Sequence, residues 1–106
     1  MRVIVTGASG FIGHNVLLRV PREWQVFAVY HSTPGLDAFV REHGLTNVIP
    51  VRCDLTDAAD VGELVRQTGA VDACLHLAAN GDPTKSFERP AWDLQLNTLA
   101  LVTLLE

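Results

Sequence analysis

Three glycines stand at positions 7, 10 and 13 of the N-terminal stretch VTGASGFIG, each three residues from the next. An apolar run rich in β-branched residues precedes them, and a segment with helical apolar spacing follows, so they lie at a predicted strand–helix turn. The N-terminus of a helix has free backbone N–H groups and the positive end of the helix dipole, and both attract phosphate. The spacing therefore predicts a site for the pyrophosphate of a dinucleotide.

Each glycine has its own expected role in such a turn. Gly7 can adopt the positive φ that a sharp exit from a strand requires. Gly10 would let the backbone approach the pyrophosphate, and Gly13 would let the helix pack closely on the strand. Phe11 and Ile12, which open the helix, complete the predicted phosphate-binding segment. The alternative is a glycine-rich turn without a ligand, and the absence of a G-K-[ST] sequence excludes a P-loop.

Apolar strands alternate with amphipathic helices along the rest of the chain. The predicted strands are residues 2–6, 25–30, 47–52 and 72–77, and the predicted helices are residues 11–20, 36–43, 58–68 and a last helix from Pro90 to the end. Strands that alternate with helices of this length imply right-handed crossovers and a parallel sheet. The sequence thus predicts one α/β domain over residues 1–106, a partial Rossmann fold with a four-stranded parallel sheet in the order 3-2-1-4.

Several residues give more local expectations. Pro50 cannot donate a ladder hydrogen bond, so the third strand is expected at an edge of the sheet. Residues 80–88 are polar and are expected to form a loop. Cys53 and Cys74 have neither metal-site nor redox-motif spacing, and both are expected to be small buried residues near strands.

Composition and charge exclude several classes of protein. The chain has 106 residues, of which 48% are hydrophobic and 19% charged, so it is not disordered in composition. Its net charge is −4 and its arginines are scattered, which gives no basic surface for nucleic acid. No apolar run is long enough to span a bilayer, and the start does not resemble a signal peptide. We expect a reducing, cytoplasmic setting, with neither nucleic acid nor membrane as a partner.

VTGASGFIG resembles the opening of the extended short-chain dehydrogenase/reductase family, the NAD(P)-dependent epimerases and dehydratases. Asp54-Leu55 resembles the family's Asp-Leu that follows the third strand and contacts adenine. His76-Leu77-Ala78-Ala79 resembles the H-x-A-A/G motif that ends the fourth strand beside the cofactor. Residues that resemble the family's S…P…N-x-x-G-T-x-x-L-L-E helix are Ser86, Pro90, Asn97, Leu104, Leu105 and Glu106, although Ala100 and Leu101 replace the usual Gly-Thr.

Taken singly, these residues have commoner structural roles. Asp54 alone is more often the cap of a helix or turn, His76 a satisfied core histidine, and Asn97 a helix-surface amide. Together, in register along the whole chain, the motifs imply that NAD or NADP lies against Asp54, Leu55, Leu77, Ala78, Ala79 and Asn97.

The end of the second strand bears on the choice between NAD and NADP. Members that prefer NAD usually carry an acid there, which binds the ribose 2′-hydroxyl and repels a 2′-phosphate. This chain has Tyr30, His31 and Ser32 instead, which are also predicted cofactor contacts. Hydroxyl and imidazole donors in place of an acid favour NADP, but only slightly, because no arginine is expected at this place.

The resemblance also shows what the chain lacks. The family's chemistry uses a Tyr-x-x-x-Lys pair, but the one tyrosine is Tyr30 and the one lysine is Lys85. We therefore expect no catalytic residues in this chain. We expect it to be the N-terminal portion, ending before a fifth strand, of an epimerase, dehydratase or reductase that acts on a nucleotide sugar or related substrate. The alternatives are a non-catalytic NAD(P) sensor or scaffold and a fold that binds no nucleotide. The open edge of strand four, or Leu94, Leu101 and Leu105 of the last helix, could support a homo-oligomer.

Overall fold

The computed structural model describes residues 1–79, 83–95, 97 and 100–105. Four parallel strands, β1 (Arg2–Thr6), β2 (Gln25–Tyr30), β3 (Val48–Arg52) and β4 (Ala73–His76), form one sheet in the order β3-β2-β1-β4. The helices are α1 (Phe11–Arg19), α2 (Leu36–Glu42), α3 (Ala58–Thr68), α4 (Pro83–Glu88), α5 (Pro90–Leu94) and α6 (Ala100–Leu105). The predicted fold class and strand order are confirmed.

The two central strands are buried on both faces of the sheet, which explains why β1 and β2 are almost continuously apolar. Successive side chains of a strand point to opposite faces. One face forms a core with α1 and α2 that contains Val3, Val5, Val26, Ala28, Leu17 and Leu36. The other face forms a core with α3 that contains Ile4, Phe27, Val29, Val61 and Leu64.

The strands end in register, and this alignment builds the functional edge of the sheet. Thr6 lies beside Val29 of β2 and His76 of β4, and Tyr30 of β2 lies beside Arg52 of β3. The segments that leave these four ends therefore meet at one edge. In parallel α/β sheets this carboxyl edge is where ligands bind.

The two outer strands agree with the sequence. β3, which contains Pro50, lies at one edge of the sheet as predicted, because proline cannot donate to a second neighbour. β4 forms the other edge among the described residues, and its residues Ala73, Cys74 and Leu75 are exposed. The open edge is thus confirmed, while a homo-oligomer built through it or through the last helix stays a prediction.

The C-terminal quarter differs from the sequence-based expectation. The predicted loop is wrong at Pro83–Glu88, which forms α4; residues 80–82 lie outside the described part. Proline suits the first position of a helix because its missing N–H has no partner there in any case. The predicted last helix is helical at each of its described residues: α5 and α6 are α-helical, and Gln95 and Asn97 between them have the wider hydrogen bonding of a π-helix.

The two cysteines have different surroundings. Cys53 is buried, as predicted, at the end of β3. The prediction is wrong for Cys74, which is exposed and lies in β4, an edge strand among the described residues.

Candidate functional site

The glycine turn begins directly after β1. Gly7 has a φ of +65°, the left-handed region that glycine adopts without strain. A Cβ atom at Gly7 would lie 2.8 Å from the amide nitrogen of Ala78 and 2.8 Å from the carbonyl carbon of Leu77. Glycine is therefore required at position 7 for two reasons: the positive φ, and the lack of space for a side chain beside the backbone that follows β4.

Gly13 joins α1 to the same turn. Its Cβ position lies 2.4 Å from the carbonyl oxygen of Gly7 and 2.7 Å from the Cα atom of Ala8. No side chain fits in this space, so the first turn of α1 packs directly on the backbone of the loop. The predicted close packing of the helix at Gly13 is confirmed, although the helix packs on the loop just after β1 and not on the strand itself.

The start of α1 is open to solvent. Gly10 is the N-cap residue, and a Cβ atom there would have only one neighbour within 4 Å, the Gly7 carbonyl oxygen at 3.5 Å. Phe11 and Ile12 are 85% and 63% exposed. The first N–H groups of a helix lack intrahelical acceptors, and the first turn of α1 has no acidic residue. An anion would meet free donors and no opposing charge.

A cleft of about 250 Å³ adjoins this turn at the carboxyl edge of the sheet. Eight of the predicted contacts line it: Gly7, Tyr30, His31, Ser32, Asp54, Leu55, Ala78 and Ala79. Ser9, Val29, Thr33, Cys53 and Trp92 complete its walls. The segments that follow β1, β2, β3 and β4 are far apart in the sequence, and all four line this cleft.

Six predicted contacts do not line the cleft. Gly10, Phe11, Ile12 and Gly13 lie beside it in the glycine turn and α1. Leu77 packs against the core on the α1 side of the sheet. The half-buried Asn97 side chain donates a hydrogen bond to Asp93 Oδ1 at 2.9 Å. The side chains of Ser86 and Leu101, and the whole of Glu106, lie outside the described residues.

Asp54 provides a negative wall of the cleft. Its Oδ1 atom accepts hydrogen bonds from the Thr56 hydroxyl at 2.6 Å and the Thr56 backbone N–H at 2.9 Å. The hydroxyl bond is the main cause that lowers the pKa of Asp54, and nearby His31 and Arg52 act in the same direction. Its Oδ2 atom lies 3.9 Å from His31 Nε2. The carboxylate is therefore charged and holds the loop after β3.

A buried hydroxyl group ties the end of β4 to β1. The Thr6 hydroxyl oxygen accepts hydrogen bonds from the N–H groups of Leu77 at 3.0 Å and Ala78 at 3.2 Å, and lies 2.7 Å from His76 Nδ1. A hydroxyl has two lone pairs and one proton. Because both lone pairs are used, the proton is donated to Nδ1, and His76 is neutral with its own proton on Nε2. Thr6 thus fixes the cleft wall at Ala78.

We expect His76 to make the fold less stable as the pH falls from about 7.5 to 5.5. Burial lowers the pKa of His76 below its usual value of about 6.5. The unfolded chain therefore binds a proton at a higher pH than the folded chain, and stability rises with pH across this window. Urea unfolding at both pH values should show a smaller pH effect in His76→Gln. His43→Gln removes an exposed imidazole and is the control. If the pH dependence of stability is the same in His76→Gln as in wild type, His76 is not its cause.

A second cavity of about 500 Å³ continues the cleft past the end of β2. The two share Tyr30, His31, Ser32 and Thr33, and the second adds Asp37 and Arg52 among its walls. The expectation that no arginine lies at this place is wrong. Arg52 reaches it from β3, whose last residue is in register with Tyr30.

The comparisons with known proteins agree with this geometry. The model of the NAD dependent epimerase/dehydratase family matches residues 3–106. The chain belongs to this family. The dTDP-glucose 4,6-dehydratase of Mycolicibacterium smegmatis is 34% identical to it over all of this chain and 32% of the dehydratase. The UDP-N-acetylglucosamine 4-epimerase of Methanobrevibacter ruminantium M1, solved with UDP-N-acetylmuramic acid, is 26% identical with a TM-score of 0.77, over 98% of this chain and 32% of that structure.

A third likeness concerns the fold alone. A short-chain type dehydrogenase/reductase from Mycobacterium ulcerans has a TM-score of 0.79 at 17% identity, over 98% of this chain and 43% of that structure. The chain spans about a third of the length of the curated relatives it matches.

Two kinds of feature are absent from the part of the chain that the structure describes. It contains no helix long and apolar enough to cross a membrane. It also contains no group of three or more His, Cys, Asp or Glu side chains placed to hold a metal ion.

Proposed function

We propose that this chain binds NAD or NADP as the cofactor-binding portion of an NAD(P)-dependent epimerase or dehydratase that acts on a nucleotide sugar. The observation that carries the proposal is the open, acid-free start of α1 beside a cleft at the carboxyl edge of a parallel sheet. The nucleotide-sugar substrate is supported by the names of the similar proteins, which act on dTDP-glucose and UDP-N-acetylglucosamine.

The proposed contacts divide into two groups by their chemistry. The pyrophosphate would lie on the N–H groups at the start of α1, in the segment Gly7, Gly10, Phe11, Ile12 and Gly13. The adenosine would lie in the cleft, against residues that the structure places around it: Tyr30, His31, Ser32, Asp54, Leu55, Ala78 and Ala79. The space that a Cβ atom at Gly10 would occupy is where the phosphates would approach the backbone. Leu77 and Asn97 remain proposed contacts from the family resemblance.

Binding without turnover is the expected property of these 106 residues. The chain has a single tyrosine and a single lysine, Tyr30 and Lys85, which cannot form a Tyr-x-x-x-Lys pair. A non-catalytic sensor would have the same binding site, so the binding measurement comes first. Calorimetric titration of the chain with NAD+, NADP+ and ADP-ribose should give saturable binding of all three. No heat of binding at millimolar ligand would overturn the proposed function.

Arg52 favours NADP over NAD in this proposal. A guanidinium group can bind a phosphate through two parallel hydrogen bonds, and Arg52 shares its cavity with the polar side chains of His31, Ser32 and Thr33. Tyr30, His31 and Ser32 at the end of β2 include no acid to bind a ribose 2′-hydroxyl, although Asp37 of α2 also lines this cavity. The second cavity would then receive the 2′-phosphate of NADP.

We expect Arg52→Gln to weaken NADP+ binding by about 10-fold and NAD+ binding by less than about 2-fold. The estimate assumes the loss of one charge-assisted interaction of about 1.5 kcal/mol at an exposed site. Calorimetry with both nucleotides measures the ratio. Arg66→Gln is the matched control, because Arg66 pairs with Glu63 on the surface of α3. Equal losses for both nucleotides would refute a 2′-phosphate contact and leave the dinucleotide site in place.

A further inference from the structure

Trp92 is the largest side chain on the wall of the cleft, and neither the glycine turn nor the strand ends account for it. It lies in α5, beyond β4 and α4 in the sequence, yet it lines the same cleft as Leu55, Ala78 and Ala79. Its side chain is half-buried. An indole at the wall of a ligand cleft provides a large, flat apolar surface with little conformational freedom to lose.

The position of the indole ring is constrained from outside the cleft. The Arg89 guanidinium lies 5.4 Å from the centroid of the Trp92 ring, in a cation–π arrangement. Arg89 is exposed and is not among the residues that line the cleft. Arg89 therefore covers one face of the ring, and the indole also lines the cleft.

The other walls separate the polar and apolar parts of the cleft. Asp54, His31 and Ser32 offer acceptors and donors that suit ribose hydroxyl groups. Val29 and Leu55 are apolar side chains that are almost completely buried but still border the cleft. An adenine ring has two apolar faces and a polar edge, so it fits between an aliphatic floor and an aromatic wall.

We propose that Trp92 is a cofactor-binding residue whose indole packs on the adenine ring of the dinucleotide, opposite Leu55. This inference rests on the proposed function and adds a specific residue from α5 to the site. It also gives the site an intrinsic optical signal, because the chain has two tryptophans and the other, Trp24, does not line the cleft. Trp24 directly precedes β2, at the amino ends of the strands, whereas the cleft lies at their carboxyl ends. Its backbone N–H donates a hydrogen bond to the Pro21 carbonyl oxygen.

The two tryptophans can be separated by substitution. Trp24→Phe keeps only the Trp92 signal, and its fluorescence should change on titration with ADP-ribose, with the same midpoint that calorimetry gives. Trp92→Phe keeps only the Trp24 signal and should show no change. ADP-ribose is the probe because it carries the adenosine diphosphate half without nicotinamide.

Affinity provides the second measurement. Base–aromatic stacking contacts typically change binding by about 5- to 150-fold when the ring is removed. Trp92→Leu should therefore weaken ADP-ribose binding within that range, whereas Trp92→Phe, which keeps a ring, should stay within about 3-fold of wild type. Circular dichroism melts of both variants show that the fold is kept.

The outcomes distinguish this inference from the proposed function. If wild type binds ADP-ribose by calorimetry but Trp24→Phe is optically silent, or Trp92→Leu binds like wild type, the Trp92 contact is overturned and the cofactor site stands. If wild type does not bind ADP-ribose at all, the proposed function and the Trp92 contact both fail.

Discussion

Gly10→Val is expected to weaken NAD+ and NADP+ binding by at least about 100-fold while the fold is kept. The loss of two charge-assisted hydrogen bonds to phosphate, each worth about 1.5–3 kcal/mol, gives this magnitude. Gly10 is exposed, has a φ of −82° that any residue can adopt, and has no neighbour that a Cβ atom would clash with. A branched side chain would thus occupy only the space in front of the start of α1. Calorimetry measures the binding, and a thermal melt measures the fold.

Gly13→Ala is the matched control for the effect of a substitution in the glycine turn on the stability of the fold. Its added methyl group would meet backbone atoms of Gly7 and Ala8 at 2.4 and 2.7 Å, which are distances that no side chain tolerates. The loop must move, and overpacking of this kind costs about 1–3 kcal/mol. We therefore expect a larger fall in melting temperature for Gly13→Ala than for Gly10→Val, which loses only the N-cap preference for glycine over valine. Normal dinucleotide affinity in Gly10→Val would show that the start of α1 is not the phosphate site.

The elements that local sequence specifies were predictable. The four strands and the glycine turn follow from short apolar runs, because strands buried on both faces need little else to be recognised. Local residue type also predicts a cap for α3 at Thr56 or Asp57, and the structure shows that Asp57 accepts the hydrogen bond from the Ala59 N–H. The edge position of β3 follows from Pro50 alone.

The site residues that the sequence did not reveal depend on contacts between distant segments. Arg52 comes beside Tyr30 only because β3 and β2 end in register, so a search of the residues after Tyr30 could not find it. The predicted strand order, applied to the last residue of each strand, is the signal that would have found it. Trp92 depends on the course of the chain after β4, where the predicted loop was partly wrong, and no local pattern places an indole in the cleft.

Thr6 shows a further limit of pattern-based prediction. In sequence it is one more β-branched residue at the end of an apolar strand. In the structure it is fully buried, and its hydroxyl group contacts three groups of the segment that begins at His76. The sequence could indicate that the two strands are neighbours, but only the structure shows that a single hydroxyl holds the ends together.

Thr6→Val is expected to lower the free energy of unfolding by about 2–4 kcal/mol, although valine has nearly the same shape. The substitution leaves the Ala78 N–H and His76 Nδ1 without their partner, and a buried polar group without a hydrogen bond costs about 1–3 kcal/mol. Leu77 is affected less, because its N–H also reaches the Thr6 carbonyl oxygen at 3.3 Å. Urea unfolding followed by circular dichroism measures the change.

Thr6→Ser separates the hydroxyl group from the methyl group at this position. Serine keeps all three hydrogen bonds and loses one methyl group, which costs about 1 kcal/mol in a core, so it should be more stable than Thr6→Val. Thr46→Val removes an exposed threonine hydroxyl and should have little effect. Since Thr6 also fixes Ala78 at the cleft wall, Thr6→Val should bind ADP-ribose more weakly than Thr6→Ser under conditions where both are folded. If Thr6→Val is as stable as Thr6→Ser, the hydroxyl does not hold β1 and β4 together, and the position of the cleft wall must depend on packing alone.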